Sequence, residues 1–198
     1  MPDSLPRLLR SDALDNRERV LAAARELFAA EGLGVTMRDI ARRAGVGPAT
    51  LYRRFPTKQD LVGEAFAEEL RTCRAIVKRG AADPDAWRGF RSVILGLSEL
   101  NARNQAFVEA FIIEFPGAFD FTAHRTELLH LLADLARRAQ AAGELRRDFV
   151  LDDLVLVLLA ARGLSSAPRG SRLEASRRFA ALAIDGLRAG EHEHQLPA

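Results

Sequence analysis

Apolar positions along this chain recur at spacings of three and four residues, and no stretch alternates as a strand would. Val20, Ala24, Leu27 and Phe28 form the first stripe, which predicts a helix from about Asp15 to Glu31. Asp15 and Glu18 have N-cap and N3 spacing, and Gly32 supplies a stop. A short helix from Met37 to Ala44 follows, with Thr36 as N-cap, Asp39 at N3 and Gly45 as terminator. The next begins at Pro48, whose missing N–H is not needed in a first turn, and ends near Phe55 before Pro56. A longer helix starts after Thr57 and runs to about Lys78 through Leu61, Ala65, Phe66, Leu70, Cys73 and Val77.

The second half reads the same way. Asp83-Pro84 opens a helix carrying Trp87, Phe90, Ile94 and Leu97 on one face. Further helices are expected at about Asn104–Phe115, Thr122–Ala142 and Leu151–Gly163. Ser171 and Glu174 form a capping-box signature for one more, running to about Ala189. The chain is therefore expected to be all-α, with about nine helices. Residues 1–57 form a small three-helix head, 58–190 a helical body, and 191–198 a polar, disordered tail.

Composition narrows the class. At 198 residues and nearly half hydrophobic, the chain can bury a substantial core. Its longest apolar stretch, near Leu154–Ala161, falls far short of the ~20 residues of a membrane span. Residues 1–10 lack a signal-peptide core, so a soluble, cytoplasmic protein is expected. Cys73 is the only cysteine, which excludes an internal disulfide and a cysteine zinc cluster. The net charge is only +2, but it is unevenly spread. Between Thr36 and Lys58 stand Arg38, Arg42, Arg43, Arg53, Arg54 and Lys58 against the single acid Asp39. Such a basic island suits a phosphate-binding surface, although a solvated arginine face would look the same by charge alone.

The segment Thr36–Phe55 separates the two readings. Two short helices flank the tight turn Gly45-Val46-Gly47, and Ile40, Ala41, Ala44, Val46, Leu51 and Phe55 can share one small core. Packed so, the second helix projects Ala49, Thr50, Arg53 and Arg54 outward, at a length that fits the major groove of DNA. Thr36, Arg38, Tyr52 and Lys58 are placed to anchor phosphates, three of them at helix N-termini. Over about Arg17–Leu61 the chain resembles the TetR family of bacterial regulators. The stretches AARELF (23–28), GLGVT (32–36), IARRAGV (40–46) and TLYRRFPTK (50–58) carry the likeness. The resemblance implies DNA contacts at Met37, Arg38, Pro48, Ala49, Thr50, Tyr52, Arg53, Arg54 and Lys58. Gly47, Pro48 and Ala49 stand where many relatives carry polar residues, which shifts base reading toward Arg53 and Arg54.

Beyond Leu61 the likeness is one of architecture, and it implies a body that binds a small ligand and dimerises. Phe66, Trp87, Phe90, Phe107, Phe111 and His124 are the candidate ligand residues, as aromatics with a few polar groups suit an apolar pocket. For any single one of them, plain core is the simpler reading. Asp120/His124 and His130/Asp134 are i,i+4 pairs able to approach a metal, but surface pairing accounts for them more simply, and no metal or cofactor is expected. Two apolar stripes, marked by Leu154, Leu158, Leu173, Ala180, Ile184 and Leu187, are the dimer candidates.

The expected function is a ligand-responsive transcriptional regulator: a homodimeric repressor that binds a palindromic double-stranded operator and is released by an apolar or amphipathic small molecule. A DNA-binding regulator controlled by abundance or by a protein partner fits the same residues. A small helical enzyme is a distant third, because the chain has no P-loop, GxSxG, HExxH or dinucleotide fingerprint and no Cys–His pairing. The sequence names neither operator nor effector.

Overall fold

The computed structural model describes residues 5–108, 119–166 and 169–190. The described residues are helical throughout, apart from turns and an isolated bridge between Leu145 and Arg188. The head is built from α1 (Leu5–Glu31), α2 (Met37–Ala44), α3 (Pro48–Arg54) and α4 (Lys58–Ala65). The body follows as α5 (Ala67–Ala81), α6 (Ala86–Arg103), α7 (Gln105–Val108), α8 (Phe119–Ala141), α9 (Leu151–Ala160), a 3-10 turn at Ala161–Ser166, and α10 (Arg169–Leu187).

Three boundaries differ from expectation. The first helix starts at Leu5, so Asp15 lies mid-helix and caps nothing. Pro6 falls in the first turn, where proline is tolerated, and no breaker follows it before Gly32. Similarly, α10 begins at Arg169, which places Ser171 inside its first turn. The helix expected from Thr57 to Lys78 is interrupted at Phe66. Arg25 of α1 donates its Nε–H to the Ala65 carbonyl at 2.8 Å. That carbonyl belongs to the last turn of α4, and a side chain inserted into the backbone ladder is a recognised cause of a kink. The expected helix Asn104–Phe115 begins as α7, and its continuation, like the tail 191–198, lies outside the described residues.

One apolar core runs from Val20 and Phe28 in α1, through Ile40, Leu51, Leu61 and Phe66, to Phe90 and Ile94 in α6 and Leu135 in α8. Among the described residues, helices α5 and α6 share the most extensive contact. A Cβ on Gly89 would lie 2.3 Å from the Gly80 carbonyl oxygen, so only glycine fits there. At the same corner the Arg138 guanidinium of α8 donates to the carbonyls of Ala81 and Asp83 at 2.8 and 2.7 Å. Polar bonds seat α9 and α10 on α6. Asn101 donates to the Leu158 carbonyl at 2.8 Å, and the Ser176 hydroxyl to the Ser98 carbonyl at 2.9 Å. The end of α10 is clasped by the loop after α8, through Arg146 N–H to Leu187 O at 3.0 Å and Ala189 N–H to Glu144 O at 2.9 Å.

Candidate nucleic-acid interface

The reading head is set by local chemistry. Thr36 caps α2, its hydroxyl accepting from the Asp39 N–H at 3.2 Å while the Asp39 carboxylate accepts from the Thr36 N–H at 3.3 Å. Its hydroxyl and the Arg42 guanidinium hold the Asp39 carboxyl below its ordinary range. Gly45 ends α2 with φ of 65°, the left-handed region that glycine enters without strain. The Val46 N–H then returns to the Ala41 carbonyl at 3.0 Å, closing the turn. Gly47 caps α3 and Pro48 opens it. A second reciprocal box, Thr57 with Asp60, starts α4.

This frame orients α3. Leu51 and Phe55 are buried beneath it, while Pro48, Ala49, Tyr52, Arg53 and Arg54 are exposed and Thr50 is half-buried. Thr36 and Arg38 are exposed at the start of α2. A groove of about 290 Å³ runs beside α3, bordered by Thr50, Arg53 and Arg54 together with Asn16 and Arg17 of α1. Sequence spacing does not mark Asn16 and Arg17 as site residues. They border the groove because α1 packs on α2 and α4, a tertiary arrangement that spacing does not reveal.

The basic island is smaller than its composition. Arg42 pairs with Asp39 at 2.6 Å and Arg43 with Glu26 at 2.5 Å. Lys58 is half-buried and donates to the Leu33 carbonyl, stapling α4 to the loop before α2. Arg38, Arg53 and Arg54 form no ion pair among the described residues and keep their full bonding capacity outward. Met37 is corrected. Its side chain is 7% exposed and packs in the core with Ile40 and Ala41, so only its backbone N–H, a first-turn donor without a helical partner, remains for DNA.

The described candidate ligand residues of the body fall into two aromatic clusters. Phe66 packs against Phe28 at 5.8 Å and Phe107 at 6.0 Å, at the junction of head and body. Trp87 stacks on Phe90 at 6.0 Å, and Phe90 meets Phe149 edge-on at 5.2 Å. The second cluster stands at the start of α6, whereas Phe107 of the first lies in α7, beyond the end of α6. Phe111 and the side chains of His124 and Asp120 lie outside the described residues. His130 is exposed and Asp134 pairs with Arg137 at 2.8 Å. Among the described residues no three metal-ligating side chains converge.

Leu154, Leu158, Ala180, Ile184 and Leu187, expected at a dimer surface, are buried within this chain, and Leu173 is half-buried. The stripes richest in apolar residues are the ones that pack on α6 and its neighbours. What α9 and α10 leave outside is Leu156, 63% exposed, and Leu182, 61% exposed.

Comparisons with known proteins agree with this architecture. The family profile described as "Bacterial regulatory proteins, tetR family" matches residues 20–65. A second, "Transcriptional regulator SbtR-like, C-terminal domain", matches residues 90–189, half of the chain. An HTH-type transcriptional regulator of Staphylococcus aureus is 40% identical over 65 residues, 32% of this chain and 35% of its own length. The match thus spans about a third of that curated relative. A crystal structure of a TetR transcriptional regulator from Streptomyces coelicolor is 30% identical, covering 87% of this chain and 98% of that one, with a TM-score of 0.53. A bacterial regulatory protein of the same family from Rhodococcus, 20% identical over 89% of this chain and 98% of its own, shares the fold with a TM-score of 0.67. With its head and its body each matched, the chain belongs to the TetR family of DNA-binding transcriptional regulators, which are not enzymes.

Proposed function

We propose that the protein is a homodimeric, ligand-responsive repressor. The observation that carries the reading is the set of guanidiniums without an ion pair among the described residues, Arg38, Arg53 and Arg54, on the outer face of a helix-turn-helix whose first helix is held by the Thr36–Asp39 box. Arg53 and Arg54 are sited for guanine O6 and N7, and Arg38 and Tyr52 for phosphates. One short reading helix binds weakly, so two heads are needed, entering successive major grooves of a palindromic operator about 34 Å apart. Leu156 and Leu182 on α9 and α10 offer the apolar surface that a two-fold partner would cover. An apolar or amphipathic effector in the body would act by favouring one spacing of the heads. Such a protein works in the cytoplasm, on the chromosome.

Footprinting and gel shifts on the promoter of its own gene or a divergent neighbour test the proposal. Protection of a palindrome that weakens with salt is expected, and the absence of specific binding to any genomic fragment overturns it. One observation favours a second reading, in which no ligand enters and abundance or a protein partner sets activity. The candidate aromatics Phe66, Phe107, Trp87 and Phe90 already pack against one another. Thermal-shift screening with apolar and amphipathic compounds separates the two.

A further inference from the structure

Head and body do not close completely on each other. Between α1, the end of α6 and the start of α10 lies a cleft of about 610 Å³, of the size that small molecules occupy. It is lined by Arg25 and Glu26 from the head and by Arg103, Asn104, Arg172 and Leu173 from the body, with alanines completing the walls. Among the described lining residues the guanidiniums of Arg25, Arg103 and Arg172 stand beside a single carboxylate, Glu26, which is already engaged with Arg43 at 2.5 Å; Arg172 has a partner of its own. Glu99, the acid nearest Arg103, lies 3.8 Å from it and is held at 2.7 Å by Arg177. Arg25 spends its Nε–H on the Ala65 carbonyl and has its terminal N–H groups left over. Among its described lining residues the cleft is therefore cationic, with Glu26 and Glu99 committed elsewhere and with Arg25 and Arg103 retaining N–H groups for a ligand.

We propose that this cleft is a second effector site, separate from any pocket within the bundle, and that it binds a small polyanion carrying two or more carboxylate or phosphate groups. Guanidiniums from two sides can grip such a ligand through paired, charge-assisted bonds, as planar forks do for carboxylates and phosphates. Neither a neutral nor an apolar molecule would use them. Occupancy has a mechanical outlet. An anionic oxygen competes with the Ala65 carbonyl for Arg25, and that carbonyl lies where α4 breaks from α5 beside Phe66. Drawing Arg25 into the cleft relaxes the break and changes the angle between head and body. This consequence for DNA rests on the operator reading given above, whereas anion binding does not.

Titration calorimetry on the full chain at constant ionic strength, with pyrophosphate and with citrate as probes, tests the site. Saturable binding of one per chain is expected, weakened about tenfold or more in Arg103→Ala, which loses a charge-assisted contact, and retained in Arg54→Ala. Binding of pyrophosphate alone assigns a phosphorylated ligand, and of citrate alone a polycarboxylate. No saturable binding of either, or an equal loss in Arg54→Ala, overturns the site, the latter because the anion would then be on the reading head. Arg103 is well exposed, so its truncation leaves the core intact; circular dichroism verifies this. Gel shifts on the operator then read the coupling. A change in affinity on adding the bound anion, abolished in Arg103→Ala, supports it, and an unchanged affinity with proven binding overturns the coupling. Failure to bind any operator without anion is a failure of the repressor reading and leaves the calorimetry standing.

Discussion

Replacing Gly89 by alanine tests the close approach of α5 and α6. The added methyl would lie 2.3 Å from the Gly80 carbonyl oxygen and 3.1 Å from the Asp83 Cβ. The nearest obstacle is backbone, so no flexible side-chain tip can swing away. Within a helix, alanine is favoured over glycine by about 1 kcal/mol. Overpacking a tight contact costs about 1–3 kcal/mol, and a rigid obstacle argues for the upper end. The net expectation is a loss of about 2 kcal/mol, which for a chain of this size lowers Tm by about 4–8 °C. Urea unfolding followed by circular dichroism measures it directly. Gly34→Ala is the control, because its added methyl meets nothing within 4 Å and its φ is not in the left-handed region. That variant is expected to be neutral or up to about 1 kcal/mol more stable. If Gly89→Ala unfolds at the wild-type midpoint, the two helices do not meet as closely as described, and the argument fails.

Three other outcomes are expected. Arg53→Ala should lower affinity for the operator by about 1–3 kcal/mol with little effect on random DNA, whereas Arg38→Ala should weaken both; equal losses on the two DNAs for both variants would contradict that division. Leu182→Asp should shift the protein from dimer to monomer in analytical ultracentrifugation without loss of helicity, and an unchanged dimer would place the interface elsewhere. Burial pushes the Cys73 thiol up to about 12, so the neutral form dominates at pH 8. Modification by a thiol reagent should accordingly follow unfolding, and rapid labelling of the native protein would show that the site is open.

The head was readable because its determinants are local. Thr36 with Asp39, Gly45, Pro48, and Thr57 with Asp60 each act within four residues of chain, and each is found in the role its residue type suggests. What sequence could not give depends on partners far along the chain. Arg25 breaks a helix through a carbonyl 40 residues away. Glu26 removes Arg43 from the basic face across 17 residues. Helical periodicity shows that α9 and α10 are apolar, but not which stripe faces their own core, so Leu154 and Ile184 were assigned outward and are buried. Met37 followed the family pattern for a DNA contact, yet one position after the cap its side chain turns into the core. The aromatic residues were identified by type, while their division into two clusters is a matter of where packing places them.

The seating of α10 on α6 also has a consequence for synthesis. Ser98 and Ser176, which bond across that contact, are 78 residues apart. At about 5–20 residues per second, the ribosome needs roughly 4–16 s to make the segment between them. The head, whose contacts are closer in sequence, can assemble during that time. The face of α6 that α10 will cover, near Leu97 and Ser98, stays uncovered until α10 emerges. For those seconds it is the surface that a chaperone, or another nascent copy, is best placed to find.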